Sequence, residues 1–295
     1  MAVRQLKTSI KSALEELEPV GLVTKAFGVM PYGDSADQLS NHQPWTASGR
    51  RLWRLGRRAC RYPHKQVKGV DAMWILSNRQ EAGKKLAAKL LNYRGRRKVL
   101  ILALPRGGVP VAYQIASALN APLDVLIVRK LGVPGRPELA MGAVASGGVQ
   151  VLNEGIVEHL EVPWGAIEEA IQRERMEIER RERSYRGNCP VSATAGQTVI
   201  VVDDGVATGA TMRAALTALR KRDPAQLVVA VPTAAPQAVR ELAALADEVV
   251  CLATPDPYLA VGRWYREFPQ TSDAEVRRLL EQANLASRTP DGGRE

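Results

Sequence analysis

The densest set of residues able to do chemistry lies at 198–212, TVIVVDDGVATGATM. Four apolar residues, Val199, Ile200, Val201 and Val202, run into Asp203 and Asp204, then Gly205, after which Ala207, Thr208, Gly209, Ala210 and Thr211 open a helix. This spacing places two carboxylates and a small-residue loop at the carboxyl end of a strand. The backbone N–H groups of such a loop can close around a phosphate, with threonine hydroxyls as further donors and the helix dipole favouring the anion. The carboxylates would repel that phosphate, so their partners are hydroxyl groups or a magnesium ion, directly or through water. A phosphate beside vicinal hydroxyls describes a ribose 5-phosphate. The segment is neither a Walker loop, which needs GxxxxGK followed by Ser or Thr, nor a GxGxxG dinucleotide turn. A strand-turn-helix that merely carries acidic residues at its strand end is the plain structural alternative.

Other chemistries find little support along the chain. Cys60, Cys189 and Cys251 form no CxxC and stand at no metal-ligand spacing from a histidine, so they read as free thiols. His42, His64 and His159 are scattered, which leaves no Ser/His/Asp or Cys/His arrangement for nucleophilic catalysis. Catalysis by this chain would rest on positioning and electrostatics.

The net charge of +10 over 295 residues suggests a polyanion partner until it is divided. Residues 1–70 hold 12 Lys and Arg against 5 Asp and Glu, leaving 29 against 26 for residues 71–295. The densest basic stretch, residues 50–65, interleaves its charges with Trp53 and Tyr62 and could serve a nucleic-acid phosphate backbone or an anionic membrane surface. A solvated, poorly ordered arm is the other reading. No apolar run is long enough to span a bilayer, and Glu15, Glu16 and Glu18 argue against a leader peptide, so the cytoplasm is the expected compartment.

The elements that must hold the 198–212 segment follow from hydrophobic pattern. Residues 19–48 are rich in Gly, Pro, Ser, Asn and Asp, and regular periodicity begins near residue 71, giving an arm at 1–70, a domain at 71–286 and a polar tail at 287–295. Ser77 and Asn78 followed by Gln80 and Glu81 form a helix start of the capping-box type, with the helix running to about Tyr93. An apolar strand at 99–104, a glycine turn, a small-residue helix at 109–119 and a second apolar run at 123–128 then read as strand, helix, strand. The pattern recurs with strands at 198–202, 227–231 and 248–252 and helices at 211–222 and 237–245. Uninterrupted apolar strands joined by crossover helices predict an α/β fold with a doubly wound, mainly parallel sheet and ligands at the carboxyl ends of its strands. Between the halves, residues 141–152 read as a β-hairpin around Gly147 and Gly148. Residues 164–184 read as a charged outer helix with Glu169/Arg173, Glu177/Arg181 and Glu179/Arg183 pairs. Ser272 with Glu275 caps a last helix.

On these residues the chain resembles the type I phosphoribosyltransferases, whose phosphoribosyl pyrophosphate signature is two acidic residues followed by a TGxT loop. The resemblance covers residues 75–282 and implies that fold, with a hood and a flexible-loop insertion added to the sheet. The segment LPRGGVP at 104–110 resembles the family's pyrophosphate loop, which implies backbone donors from Gly107 and Gly108 and a permanent charge from Arg106. Residues 131–139, LGVPGRPEL, are similar to the catalytic flexible loop, and Arg129 and Lys130 just before it become candidate pyrophosphate contacts, with surface charge as the alternative. Hypoxanthine-type members carry an aspartate where this chain has Ala207. Alanine there resembles the adenine-type members, which makes Glu138 of the flexible loop a candidate general base. The hood falls on residues 255–273, where Trp264 and Tyr265 could stack on a nucleobase or could cap the core.

The resemblance thus implies a Mg²⁺-dependent transfer of the phosphoribosyl group to a nitrogen acceptor such as a nucleobase, with release of pyrophosphate. Arg106, Lys130, Glu138 and Asp204 are its catalytic candidates. Asp203, Asp204, Gly205, Ala207, Thr208, Gly209, Ala210 and Thr211 form the ribose 5-phosphate cradle, and the two aspartates also face the metal. Members of the family commonly pair, so a homodimer is implied. The rival from another class is a regulator of the same fold that senses phosphoribosyl pyrophosphate while its basic arm holds nucleic acid.

Overall fold

Alternation along the apolar strands decides the architecture. The computed structural model describes residues 76–187 and 189–288, so the basic arm at 1–70, its cluster at 50–65 and the tail beyond 288 lie outside the described residues. In chain order come α1 (Arg79–Lys89), β1 (Val99–Ala103), α2 (Gly108–Leu119) and β2 (Leu123–Val125). Next are β3 (Val128–Val133), β4 (Arg136–Ala145), β5 (Val149–Leu152), α3 (Glu154–His159) and α4 (Trp164–Arg186). The last third holds β6 (Thr198–Val202), α5 (Ala210–Arg220), β7 (Gln226–Thr233), α6 (Pro236–Ala243), β8 (Glu248–Ala253) and α7 (Asp273–Arg288).

The main sheet has the order β2-β1-β6-β7-β8, with every pairing parallel. Ile101, Ile200, Val228 and Val250 point to a core shared with α1, α2, α4 and α7. Their neighbours Leu100, Val201, Val229 and Val249 point to the opposite core, shared with α5 and α6. Two buried faces explain why these strands show no polar alternation. Full burial of a leucine such as Leu216 contributes roughly 1.5–3 kcal/mol, so apolar residues on either face add to the hold on the sheet. Among the described residues no helix is long and apolar enough to cross a membrane.

The start of α1 obeys the capping expectation: Asn78 Oδ1 accepts from Glu81 N at 3.0 Å, and Glu81 reaches back to Ser77 N at 2.5 Å. The helix ends at Lys89 rather than near Tyr93, which belongs to a following 3₁₀ turn. The apolar run at 123–128 departs further from expectation, because it crosses between sheets. β2 ends at Val125, Leu126 N donates to Ala103 O at 2.9 Å, and Ile127 N donates to Ser146 Oγ at 2.9 Å before β3 begins. Leu126 and Ile127 stay buried throughout, so hydrophobicity carries no mark of the break.

Residues 131–139, expected as a mobile loop, form the outer half of the β3–β4 hairpin, turning at Pro134 and at Gly135 with φ +75°. Glycine is also required at Gly132, where a Cβ would lie 2.8 Å from Pro137 O. The hairpin expected at 141–152 forms between β4 and β5, so β3, β4 and β5 make a second, antiparallel sheet.

Helix α4 is more than a solvated outer helix. Of the three expected pairs only Glu177–Arg181 forms, at 2.6 Å, while Arg173 turns to Glu174 and Arg183 to the Glu179 carbonyl. Its inner face buries Ile167, Ile171, Ile178 and Tyr185. At its end Arg186, with a side chain 5% exposed, donates from Nε to Asp124 Oδ1 of β2 at 2.6 Å. Asp124 also accepts from Ser192 N at 3.1 Å, so one carboxylate ties helix, strand and the chain entering β6. Asp124→Ala leaves a buried guanidinium with Glu182 and the Val125 carbonyl but without its Nε partner, and is expected to cost about 3–5 kcal/mol in a denaturant titration. A loss under about 1 kcal/mol, the range of exposed pairs, would show that the tie is dispensable.

Candidate functional site

Between β1 and β6 the connections leave in opposite directions: α2 follows β1 on one face of the sheet and α5 follows β6 on the other. At such a reversal the two loops part and leave a crevice at the carboxyl ends of the strands, where open α/β sheets take their ligands. The segments entering it here are residues 104–107 and 203–209.

The two loops touch. Leu104 N donates to Val202 O at 2.9 Å, extending the β1–β6 ladder by one rung. A Cβ on Gly108 would lie 2.6 Å from Val202 O, and one on Gly107 would overlap Asp204 Oδ2 outright. Only glycine allows this approach, which sets the Arg106 loop directly on the acidic strand end. Beyond Asp204 the chain forms a bridge between Val206 and Ala234, and Gly209 takes φ +73° to start α5. Ala207, Thr208, Ala210 and Thr211 are exposed at that helix start, where first-turn N–H groups have no acceptor within the helix. Arg213 Nη1 donates to Thr208 O at 2.7 Å and also pairs with Glu241, holding that carbonyl toward the helix.

Asp203 and Asp204 are part-buried. Burial, and then the neighbouring Asp204 carboxylate, hold the Asp203 carboxyl well above the usual carboxylate range, opposed by the charge of Arg79. Asp203 Oδ1 also accepts from Asp204 N at 2.8 Å. Asp204 Oδ2 accepts from Arg79 Nε of α1 at 2.8 Å, and its backbone carbonyl accepts from Tyr265 OH at 2.5 Å. Sequence reading misses Arg79. Its one signal is position: it lies three residues before Ala82 and seven before Leu86, on the buried stripe of α1.

The remaining candidates are dispersed. Arg106 is 36% exposed, with Nη1 3.8 Å from Asp273 Oδ1, and Tyr185 OH donates to the same oxygen at 2.7 Å. Burial, then that bond, push the Tyr185 phenol up to about 12, so it stays a donor at neutral pH. On the β3–β4 hairpin, Arg129 Nε is bound by Glu174 at 2.8 Å, and Lys130 Nζ donates across to the Glu138 carbonyl at 3.0 Å. Among the described residues no hydrogen bond or ion pair joins Arg129, Lys130 or Glu138 to Asp203 or Asp204.

The aromatic hood divides. Tyr265, 6% exposed, packs with Leu76 and Ala82 and spends its hydroxyl on Asp204, so the core-capping alternative describes its position. Trp264 is half-buried beside Tyr258, with ring centroids 6.0 Å apart, and its Nε1 is buried without a hydrogen-bond partner among the described residues. Tyr258 shares a 2.9 Å hydrogen bond with Thr233 Oγ1, and burial pushes its phenol up to about 12.

The sheet order and the loops at its reversal define a doubly wound α/β protein with flanking helices on both faces. The phosphoribosyl transferase domain family model matches residues 75–262, and this chain belongs to that family, with the type I fold. Two Mycobacterium tuberculosis proteins, "Putative phosphoribosyl transferase Rv0571c" of strain H37Rv and "Putative phosphoribosyl transferase MT0597" of strain CDC 1551, are each 46% identical over 213 residues. Those matches cover 72% of this chain and 48% of the relative, so the chain spans about half the length of the curated relatives it matches. The crystal structure of TT1426 from Thermus thermophilus is 41% identical, with a TM-score of 0.64, covering 70% of this chain and 98% of that one.

Proposed function

We propose that this chain binds phosphoribosyl pyrophosphate with Mg²⁺ and transfers the phosphoribosyl group to a nitrogen acceptor of the nucleobase class, releasing pyrophosphate. The observation that carries the reading is the contact of Gly107 and Gly108 with the acidic end of β6, beside the open start of α5. A ribose 5-phosphate spans just such a junction. Its phosphate takes the N–H groups and hydroxyls of Thr208, Gly209, Ala210 and Thr211, and its vicinal hydroxyls reach Asp203 and Asp204.

The pyrophosphate on the ribose C1 then lies along the loop of Arg106, Gly107 and Gly108. Charge builds on it as the C1–O bond loosens, and the Arg106 guanidinium with the Gly107 N–H stabilises that charge more than the ground state; the Gly108 N–H, expected as a second donor, is instead spent on Leu104 O at 3.1 Å, closing the turn. In this reading Lys130 and Arg129 of the hairpin add charge to the pyrophosphate side, and Glu138 of the same hairpin takes the proton of the acceptor nitrogen. Trp264 offers a flat surface to the acceptor.

The donor set suits magnesium bound largely through substrate. Among the described residues no three His, Cys, Asp or Glu side chains come together to hold a metal. Mg²⁺ keeps waters and phosphate oxygens readily, so Asp203 and Asp204 supply the protein side of its shell, directly or through water. When bound, the ion neutralises charge on the departing pyrophosphate.

Thr211→Ala tests the cradle. Loss of one hydroxyl donor to a charged phosphate is expected to weaken ribose 5-phosphate by about 1–3 kcal/mol in calorimetry, with the melting temperature of the free protein unchanged. Unaltered affinity would place the phosphate elsewhere.

A further inference from the structure

We propose that Arg79 is a positioning residue, a fork that fixes the Asp204 carboxylate and the hood segment at residues 261–269 as one unit. Three contacts define it. Arg79 Nε donates to Asp204 Oδ2 at 2.8 Å, Nη1 donates to the Pro269 carbonyl at 2.6 Å, and the guanidinium lies 3.7 Å from the centre of the Phe268 ring. The side chain is 10% exposed, and its Nε and Nη1 are spent on these protein partners.

Helix stability does not explain an arginine there. Arg79 is the first residue of α1, where the helix dipole disfavours a cation, and its burial removes a guanidinium from water. Both penalties are offset only by the partners it joins. These come from segments far apart in the chain: α1, the end of β6, and the hood. The hood is also zipped along the chain entering α1, with Arg266 N on Leu76 O at 2.8 Å and Glu267 N on Ser77 O at 2.9 Å. Tyr265 OH on the Asp204 carbonyl closes the circuit at 2.5 Å. Asp204 is thereby held at its carbonyl and at one carboxylate oxygen.

Two consequences follow for the ligand. Arg79 is the cation paired with the acidic strand end among the described residues, so it offsets part of the negative charge that an anionic ligand meets. Its planar fork also fixes the distance between the hood and the ribose side, which a lysine, a single point charge, cannot do. One residue outside every signature motif thus joins the acceptor surface to the ribose contact by its side chain. This inference rests on the reading of Asp204 as a ribose contact, and the test separates the two.

Full-length Arg79→Gln and Arg79→Lys are compared with the unaltered protein by calorimetry with ribose 5-phosphate and with inorganic phosphate, and by hydrogen exchange of the 261–269 amides without ligand. Arg79→Gln is expected to weaken ribose 5-phosphate roughly tenfold while inorganic phosphate, which needs only the start of α5, is unchanged within about twofold. The hood amides should exchange faster. Arg79→Lys should recover part of the affinity and leave hood exchange fast. Equal loss of both ligands would mean a general structural role and would overturn the proposal, as would unchanged hood exchange or full recovery of both properties by lysine. If the unaltered protein binds neither ligand, the reading of the site has failed, and hood exchange in the two variants still decides whether Arg79 is the fork.

Discussion

Arg106→Ala is expected to lower turnover by about 10²–10³ while leaving ribose 5-phosphate affinity almost intact. The reason is where the side chain stands. Arg106 follows β1 on the loop whose next residue rests on Asp204, and its own guanidinium is part-exposed and only loosely paired, 3.8 Å from Asp273. Asp273 is itself held by Tyr185, so the pairing keeps Arg106 near the crevice without consuming its donors. In the proposed reaction its partner is the departing pyrophosphate, absent from the product, so substrate turnover and product binding should separate. The complementary variant, Asp203→Asn with Asp204→Asn, should weaken substrate and product alike, because ribose hydroxyls are present in both. Parallel losses in the two variants would show that Arg106 does not serve a pyrophosphate loop.

A single added methyl group should do nearly as much damage. In Gly107→Ala the new carbon would sit well inside van der Waals distance of Asp204 Oδ2, so either the loop retreats or the carboxylate leaves Arg79. Overpacking of this kind costs about 1–3 kcal/mol of stability. Displacing Asp204 as well should reduce ribose 5-phosphate affinity at least tenfold, on the order of one hydrogen bond to a charged group. Gly165→Ala is the control. Its Cβ meets nothing within 4 Å at the exposed start of α4, so the same chemical change should stabilise the protein by up to about 1 kcal/mol. Thermal unfolding and calorimetry on both variants distinguish local crowding from a general intolerance of alanine. Normal affinity in Gly107→Ala would mean that the two loops do not act together.

The parts of this molecule that can be read from sequence are those where local pattern and global environment agree. β6 runs from Thr198 to Val202 as its apolar residues dictate, and α5 opens where the small residues of the TGxT segment permit. The capping boxes at Asn78 and Ser272 act over three residues, so their letters suffice. Where the physics is long-range, the letters are ambiguous. Leu126 and Ile127 are apolar because both sheets bury them, and nothing in that run marks a change of sheet. The content of Gly and Pro at 131–139 suits a mobile loop and a tight hairpin equally; the choice falls to pairing with β4, which a local window does not contain. Charge on α4 suggests a solvated surface, yet Arg186 is buried because Asp124, 62 residues earlier, receives it.

The site shows the same division. Asp203, Asp204, Gly107 and Gly108 are candidates from sequence, and the fold brings their loops into contact. Arg79 is not, since an arginine in the first turn of a helix ordinarily reads as solvated, and its partners Asp204 and Pro269 lie 125 and 190 residues away. Tyr265 is legible as an aromatic but not as a donor to the Asp204 carbonyl.

Whether the chain transfers its phosphoribosyl group is decided by measuring free pyrophosphate. The full chain is mixed with phosphoribosyl pyrophosphate and Mg²⁺, and a panel of nucleobases and small amines is supplied in turn. Release is expected to depend on one class of nitrogen acceptor and to fall by about 10²–10³ in Arg106→Ala. Saturable binding of phosphoribosyl pyrophosphate with no release for any acceptor would contradict the proposed transfer and would leave a sensor of the same fold.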